Sequence, residues 1–323
     1  HPKERPLLNE ANRLKINSFQ GPQNEILKRI KLAAEAFPGT ILKVDGHKPL
    51  FDPIDASELI DDHFKGNFDY SFNGHYDGVI YGTDCNLSAG GYINTIDGLY
   101  LGGEIPPALF IGIQYKLGDE PDFMQFVTNR TREFTPVEDI ENQKLMEQMT
   151  LREVKGGGAD KFLKFLTTEL RDWVSERFNV SDDTTYIGDS MGGLFGLYTL
   201  FHQPKAFKRY VIGSPWQEWS HPNTFDLEES YAENNEDMEA IVYMASGAEE
   251  DVIGPYLEKM NPVMVEIFSK ARTADYTQQM IEKLNSRNYP SLKLKGLILE
   301  DETHFTITGA LFNRGLRHVF NVE

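Results

Sequence analysis

The chain has 323 residues, 40% of them hydrophobic and 25% charged, enough to bury one large α/β core and too mixed in composition for disorder. Its net charge of −18 argues against nucleic acid or an anionic membrane surface as a partner. A single cysteine, Cys85, excludes an intrachain disulfide and any multi-cysteine metal site, and no apolar run reaches the ~20 residues that cross a bilayer.

The first residue is His1 rather than Met, as removal of a secretion signal or simple trimming would leave it. The compartment therefore stays open between cytoplasm and periplasm or exterior. Residues 1–77 carry a weak pattern. "EILKRIKLAAEAFPG" fits a helix by period, while Pro38–Gly39 would equally close an edge strand. "DPIDASELIDDHFKGNFDYSFNGHYDG" is polar and Gly/Asp-rich, which suits a long surface excursion.

From residue 78 onward, strand and helix signals alternate. "YDGVIYGTD" and "ALFIGIQY" read as buried strands. The stretches 84–106 and 116–150 follow no motif and read as loops. "GGGADKFLKFLTTELRDWVSERF" predicts one helix, with Phe162, Leu163, Phe165, Leu166, Leu170 and Trp173 on a broad apolar face. "TTYIGDS" is the next strand and "GGLFGLYTLF" the next helix. "RYVIGSP", "AIVYMASG" and "LKLKGLILE" are further strands, with the helical stretch "MVEIFSKARTADYTQQMIEKLNSRN" before the last. The rhythm predicts a mostly parallel sheet with helices on both faces, in a single domain over 1–323 whose core lies in 78–323.

At the joint of "TTYIGDS" and "GGLFGLYTLF" stands "GDSMG", a match to G-x-S-x-G. Chance supplies roughly 0.1 such matches in a chain of this glycine content, and a glycine-rich turn with a satisfied serine is the plain alternative. Context favours the nucleophile elbow. A strand precedes Ser190, a helix follows it, and glycines stand where a strand must turn into a helix within a few residues.

An activated serine needs a base, and in such folds acid and histidine follow it in the chain. His202 and His318 fall in helices and read as structural. His221 follows "GSPWQEWS". His304 comes directly after the strand "LKLKGLILE", in the loop "DETHF", where a strand's C-terminal end delivers side chains to a site. That placement favours His304 over His221. The acid is expected after an earlier strand, and Glu249, Glu250 and Asp251 follow Gly247.

Taken together, "GGGADKFLKFLTTELRDW", "YIGDSMGGLFGLYTLF", "IGSPWQEW", "SGAEE" and "EDETHFTI…ALFNRGLRHVF" resemble the esterase D family of α/β-hydrolases, near the hydrolases of trilactone siderophores. The resemblance covers about residues 78–323. It implies an α/β-hydrolase fold, Ser190 as nucleophile, His304 as base and Glu250, third after Gly247, as acid. "TREFTP" is similar to a family stretch with an arginine at the substrate mouth, which points to Arg130 or Arg132, and Trp216 joins them as a substrate-side residue. Where the family has Asp-Gly after the first strand, "TDCN" puts Cys85 at the glycine. By position the backbone N–H groups of Asn86 and Met191 would form the oxyanion hole. Cys85 itself reads as a small buried hydrophobe.

The expected function is hydrolysis of a small carboxylic ester through an acyl-enzyme, with no cofactor or metal required. An acyltransferase or an S-formylglutathione hydrolase-like thioesterase would use the same triad, and a non-catalytic binding protein could retain the fold. Homo-oligomerisation is left open.

Overall fold

The computed structural model describes residues 75–115, 123–260 and 262–321. The expectations of a helix or edge strands and a polar excursion in residues 1–74 lie outside the described residues.

The elements run β1 (Gly78–Gly82), α1 (Cys85–Leu101), β2 (Ala108–Gly112), α2 (Phe123–Phe134), α3 (Ile140–Thr150), α4 (Ala159–Thr167), α5 (Glu169–Arg177) and β3 (Thr184–Asp189). They continue with α6 (Met191–His202), β4 (Arg209–Gly213), α7 (Asn223–Asn234), β5 (Ala240–Gly247), α8 (Pro255–Met260), α9 (Pro262–Lys270), α10 (Thr273–Arg287), β6 (Leu292–Leu299) and α11 (Ile307–Asn321). Among the described residues six strands form one sheet in the order β2-β1-β3-β4-β5-β6, and every described pair is parallel.

Burial explains which sequence runs became which strands. β1 is buried throughout, and β3, β4 and β5 nearly so, because helices cover both faces, so their middles are apolar, as in Val79–Tyr81, Tyr186–Ile187, Tyr210–Ile212 and Val242–Ala245. β6 lies at an edge of the described sheet, and its Lys293 and Lys295 alternate with half-buried Leu292 and Leu294. Successive strand residues feed opposite layers. Tyr81, Tyr186, Ile212 and Met244 join α4, α6 and α10 on one face. Ile80, Ile187, Val211 and Tyr243 meet Tyr92 of α1 and Leu311 and Phe312 of α11 on the other.

Three expectations are corrected. The helix expected over 156–178 is two, α4 and α5, broken at Thr168, where φ is −120° and ψ −85°. The Thr167 and Thr168 hydroxyls donate to Leu163 and Lys164 carbonyls, a competition with the backbone ladder that β-branched hydroxyl residues invite. Phe165 and Trp173, expected on the apolar face, are 38% and 37% exposed. The stretch 264–288 likewise breaks, at Arg272, whose φ of 43° ends one helical path and starts α10. The segments read as loops contain α1 across 84–106 and α2 and α3 within 116–150. Three glycines dilute the helical signal of α1, and packing of Tyr92, Ile96 and Leu99 overrides that propensity.

Candidate active site

The C-terminal ends of the parallel strands carry the site, as expected for an open α/β sheet. β3 ends at Asp189, and Ser190 takes φ 61° and ψ −118° before α6 begins at Met191. That conformation is costly for a non-glycine residue and persists because its surroundings hold it. Ser190 N donates to Gly213 O at 3.0 Å. A Cβ on Gly188 would lie 2.6 Å from Gly192 O, so the turn admits no side chain there.

From β6 and β5 come the two partners. His304 Nε2 lies 3.1 Å from Ser190 Oγ, and His304 Nδ1 lies 2.5 Å from Glu250 Oε2. A carboxylate at Nδ1 holds the proton there and leaves the Nε2 lone pair facing the hydroxyl. Oε1 of Glu250 accepts from Ser214 Oγ at 2.5 Å, Ser246 Oγ at 3.0 Å and Gly247 N at 2.9 Å. Burial by itself would raise the Glu250 carboxyl, but the His304, Ser214 and Gly247 donors hold it below its ordinary value. Burial pushes the His304 imidazole down, and the hydrogen bond and charge of Glu250 push it up further, so it sits above its ordinary value.

Of the four histidines after Ser190, His304 is the one brought to it. His221 stacks on Tyr276 with ring centroids 4.3 Å apart, His202 stacks on Tyr198, and His318 lies against Tyr243. Among the three acids, Glu249 and Asp251 are exposed while Glu250 is buried.

Beside Ser190 opens a cavity of about 250 Å³. Its walls include Phe126, Met146, Met149, Met191, Trp216, Ile267 and Phe268, with Phe123 and Phe305 more exposed. Arg130 reaches this wall, and its Nε and Nη2 donate to Asp84 Oδ1 and Oδ2 at 2.9 and 2.6 Å. Arg132 does not reach it. Its Nη2 pairs with Glu133 Oε1 at 2.6 Å on a half-exposed surface, which corrects its expected place at the mouth. Two residues apart on one helix point in different directions.

Asp84 has φ 59° and precedes α1, and Cys85 N donates to Ile113 O at 3.0 Å. The Asn86 side chain fixes the same turn, donating from Nδ2 to Tyr115 O at 2.9 Å and accepting from Tyr115 N at 2.8 Å. Asn86 and Met191 stand in the first turns of α1 and α6, where backbone N–H groups have no intrahelical acceptor. The two turns adjoin, since a Cβ on Gly192 would lie 3.3 Å from Asp84 Oδ2. Cys85 is buried among Ile80, Tyr92 and Ile187 and is not part of the cavity wall.

Residue reading alone missed Ser214, Ser246 and Asp84. Each stands within two residues of a strand's C-terminal end, the position that singled out His304, so the same rule could have found them.

The fold is that of an α/β-hydrolase. A family model described as "Putative esterase" matches residues 70–291, and the chain belongs to this Esterase family. Over 223 residues it is 26% identical to the ferri-bacillibactin esterase BesA of Bacillus subtilis (strain 168), covering 67% of this chain and 68% of that protein. In structure it resembles the siderophore hydrolase EstA from Aspergillus nidulans, with a TM-score of 0.62 at 22% identity over 77% of this chain and 84% of that one. It also resembles the BES protein from Bacillus cereus, with a TM-score of 0.58 at 23% identity over 78% and 87% of the two chains. The protein is a carboxylic ester hydrolase. Among the described residues no helix is long and apolar enough to cross a membrane.

Proposed function

We propose that Ser190 is the nucleophile of this ester hydrolysis, with His304 as general base and Glu250 as the acid that orients it. The observation that supports the reading best is the unbroken chain Ser190 Oγ–His304 Nε2 at 3.1 Å and His304 Nδ1–Glu250 Oε2 at 2.5 Å. His304 takes the hydroxyl proton as Ser190 attacks the ester carbonyl, and Glu250 stabilises the imidazolium that forms. The tetrahedral oxyanion is met by the N–H groups of Asn86 and Met191, at the positive ends of α1 and α6. His304 then protonates the departing alcohol. Water, deprotonated by the same imidazole, cleaves the acyl-enzyme and releases the acid. The apolar cavity and Trp216 form the acyl-binding side.

Ser190→Ala should lower hydrolysis of a p-nitrophenyl ester by about 10⁴-fold or more while the melting temperature stays near the parent value. Mass spectrometry of the fluorophosphonate-treated protein should place the adduct on Ser190, and His304→Ala should suppress it where His221→Ala does not. A variant lacking the Ser190 hydroxyl that retains near-full turnover would overturn the assignment.

A further inference from the structure

We infer that the cavity beside Ser190 selects esters with an uncharged, apolar acyl group, and that Asp84 sets this selectivity by filling the fork of Arg130. The inference rests on the proposed role of Ser190 and adds the chemical class of its substrate.

Apolar side chains make most of the wall, with thioethers and aromatic rings foremost among them. Met146 and Met149 come from α3, Phe126 from α2, and Ile267 and Phe268 from α9. Such a wall rewards apolar contact and adapts its shape, because methionine has three soft torsions and a polarisable sulfur. Among the described wall residues, the side chains able to carry positive charge are Arg130 and His304. His304 faces Ser190 and Glu250. Arg130 is held by Asp84 through two parallel hydrogen bonds, with side chains only 14% and 9% exposed. A planar, desolvated guanidinium–carboxylate fork is the strongest form of this pair.

An acyl group bearing a carboxylate would therefore enter an apolar cavity whose arginine is already engaged. It would also face the carboxyl groups of Asp84 and Asp189, both on the wall. Ser88, Thr273, Thr308 and the Trp216 indole N–H offer that carboxylate neutral donors at most. Burying a charge without a cationic partner is costly, and the net charge of −18 opposes the approach of any anion. Asp84 is thus a specificity-determining residue. Without its negative charge, Arg130 would present a fork shaped for a carboxylate at the same wall.

The test compares p-nitrophenyl acetate, p-nitrophenyl hexanoate and mono-p-nitrophenyl adipate as substrates of the full chain and of its Asp84→Asn variant. Asparagine keeps the size of the side chain and tolerates the left-handed backbone at this position. For the parent protein, kcat/KM should rise more than about tenfold from acetate to hexanoate, in line with burial of several methylenes. It should fall at least about 30-fold from hexanoate to adipate. Asp84→Asn should narrow the hexanoate-to-adipate ratio at least about tenfold, whatever it does to both rates together. If the parent hydrolyses adipate as well as hexanoate while a fluorophosphonate still labels Ser190, the inference falls and the proposed function stands. An unchanged ratio in a folded Asp84→Asn variant overturns the role of Asp84. Failure of the parent in both hydrolysis and labelling overturns the underlying reading as well. Should the variant not fold, the parent's ratio still decides the substrate class.

Discussion

Ser214 Oγ lies 2.5 Å from Glu250 Oε1 and thereby ties the end of β4 to the acid that follows β5. Ser246 Oγ and Gly247 N donate to the same oxygen, so Oε2 is left to face His304 Nδ1. Three donors on one oxygen fix the carboxylate's plane and favour its ionised form. Removing one of them should loosen the orientation of His304 without removing a reacting group. Ser214→Ala is expected to lower kcat about tenfold and Glu250→Gln about 10²- to 10³-fold, with steady-state kinetics on one p-nitrophenyl ester as the measurement. A Ser214→Ala enzyme with unchanged kcat would mean that the other two donors suffice.

The pH profile follows from the same pair. A general base works only when neutral, so under the role proposed for His304 kcat/KM should fall as pH drops through the apparent pKa of the His304–Glu250 pair. Burial lowers the imidazole pKa and Glu250 raises it, with a net displacement upward, so the acidic limb should lie above the ordinary histidine value. Glu250→Gln removes the raising influence and should move the limb to lower pH. Asp189, pushed up to about 6 by burial, also favours protonated His304. Asp189→Asn should shift the limb the same way by a smaller amount. A limb that moves upward in either variant contradicts this electrostatic account.

Two glycine substitutions should have opposite signs. A Cβ on Gly193 would run into Gly213 O and lie 3.0 Å from Pro215 Cα, where backbone cannot yield cheaply. Gly193→Ala should destabilise by at least about 1–3 kcal/mol. Gly90 sits on the exposed side of α1 with nothing within 4 Å of an added Cβ. Gly90→Ala should stabilise by about 0.5–1 kcal/mol. Denaturant melts of the two variants beside the parent give both signs.

Cys85 is 5% exposed, and burial pushes its thiol up to about 12, with the Asp84 charge adding to the rise. A protonated, shielded thiol is a poor nucleophile. The native protein at pH 7.5 should therefore resist a maleimide and keep full activity, and it should take up one equivalent once unfolded. Rapid labelling of the native protein with loss of hydrolysis would place the thiol at the cavity instead.

Much of the architecture was legible because burial leaves a mark on sequence. Strands covered on both faces are apolar along their middles, and β1, β3, β4 and β5 read as such runs. "GDSMG" between a strand and a helix pointed to Ser190, and a loop straight after β6 pointed to His304, since strand ends deliver side chains to one edge. Other features depended on neighbours distant in the chain. Three acids follow Gly247 in a row, and what separates Glu250 from Glu249 and Asp251 is its contact with Ser214 and His304, 36 and 54 residues away. Arg130 and Arg132 differ by the phase of α2 against the cavity, and the phase is set by which face packs on the core. α1, with its three glycines, forms because Tyr92, Ile96 and Leu99 find partners on the sheet. Sequence alone determined the residue types and their local periodicity, because those record burial and backbone preference. Which polar groups meet was decided only in the tertiary structure, because hydrogen bonds and ion pairs act across a few ångströms of space, whatever the separation along the chain.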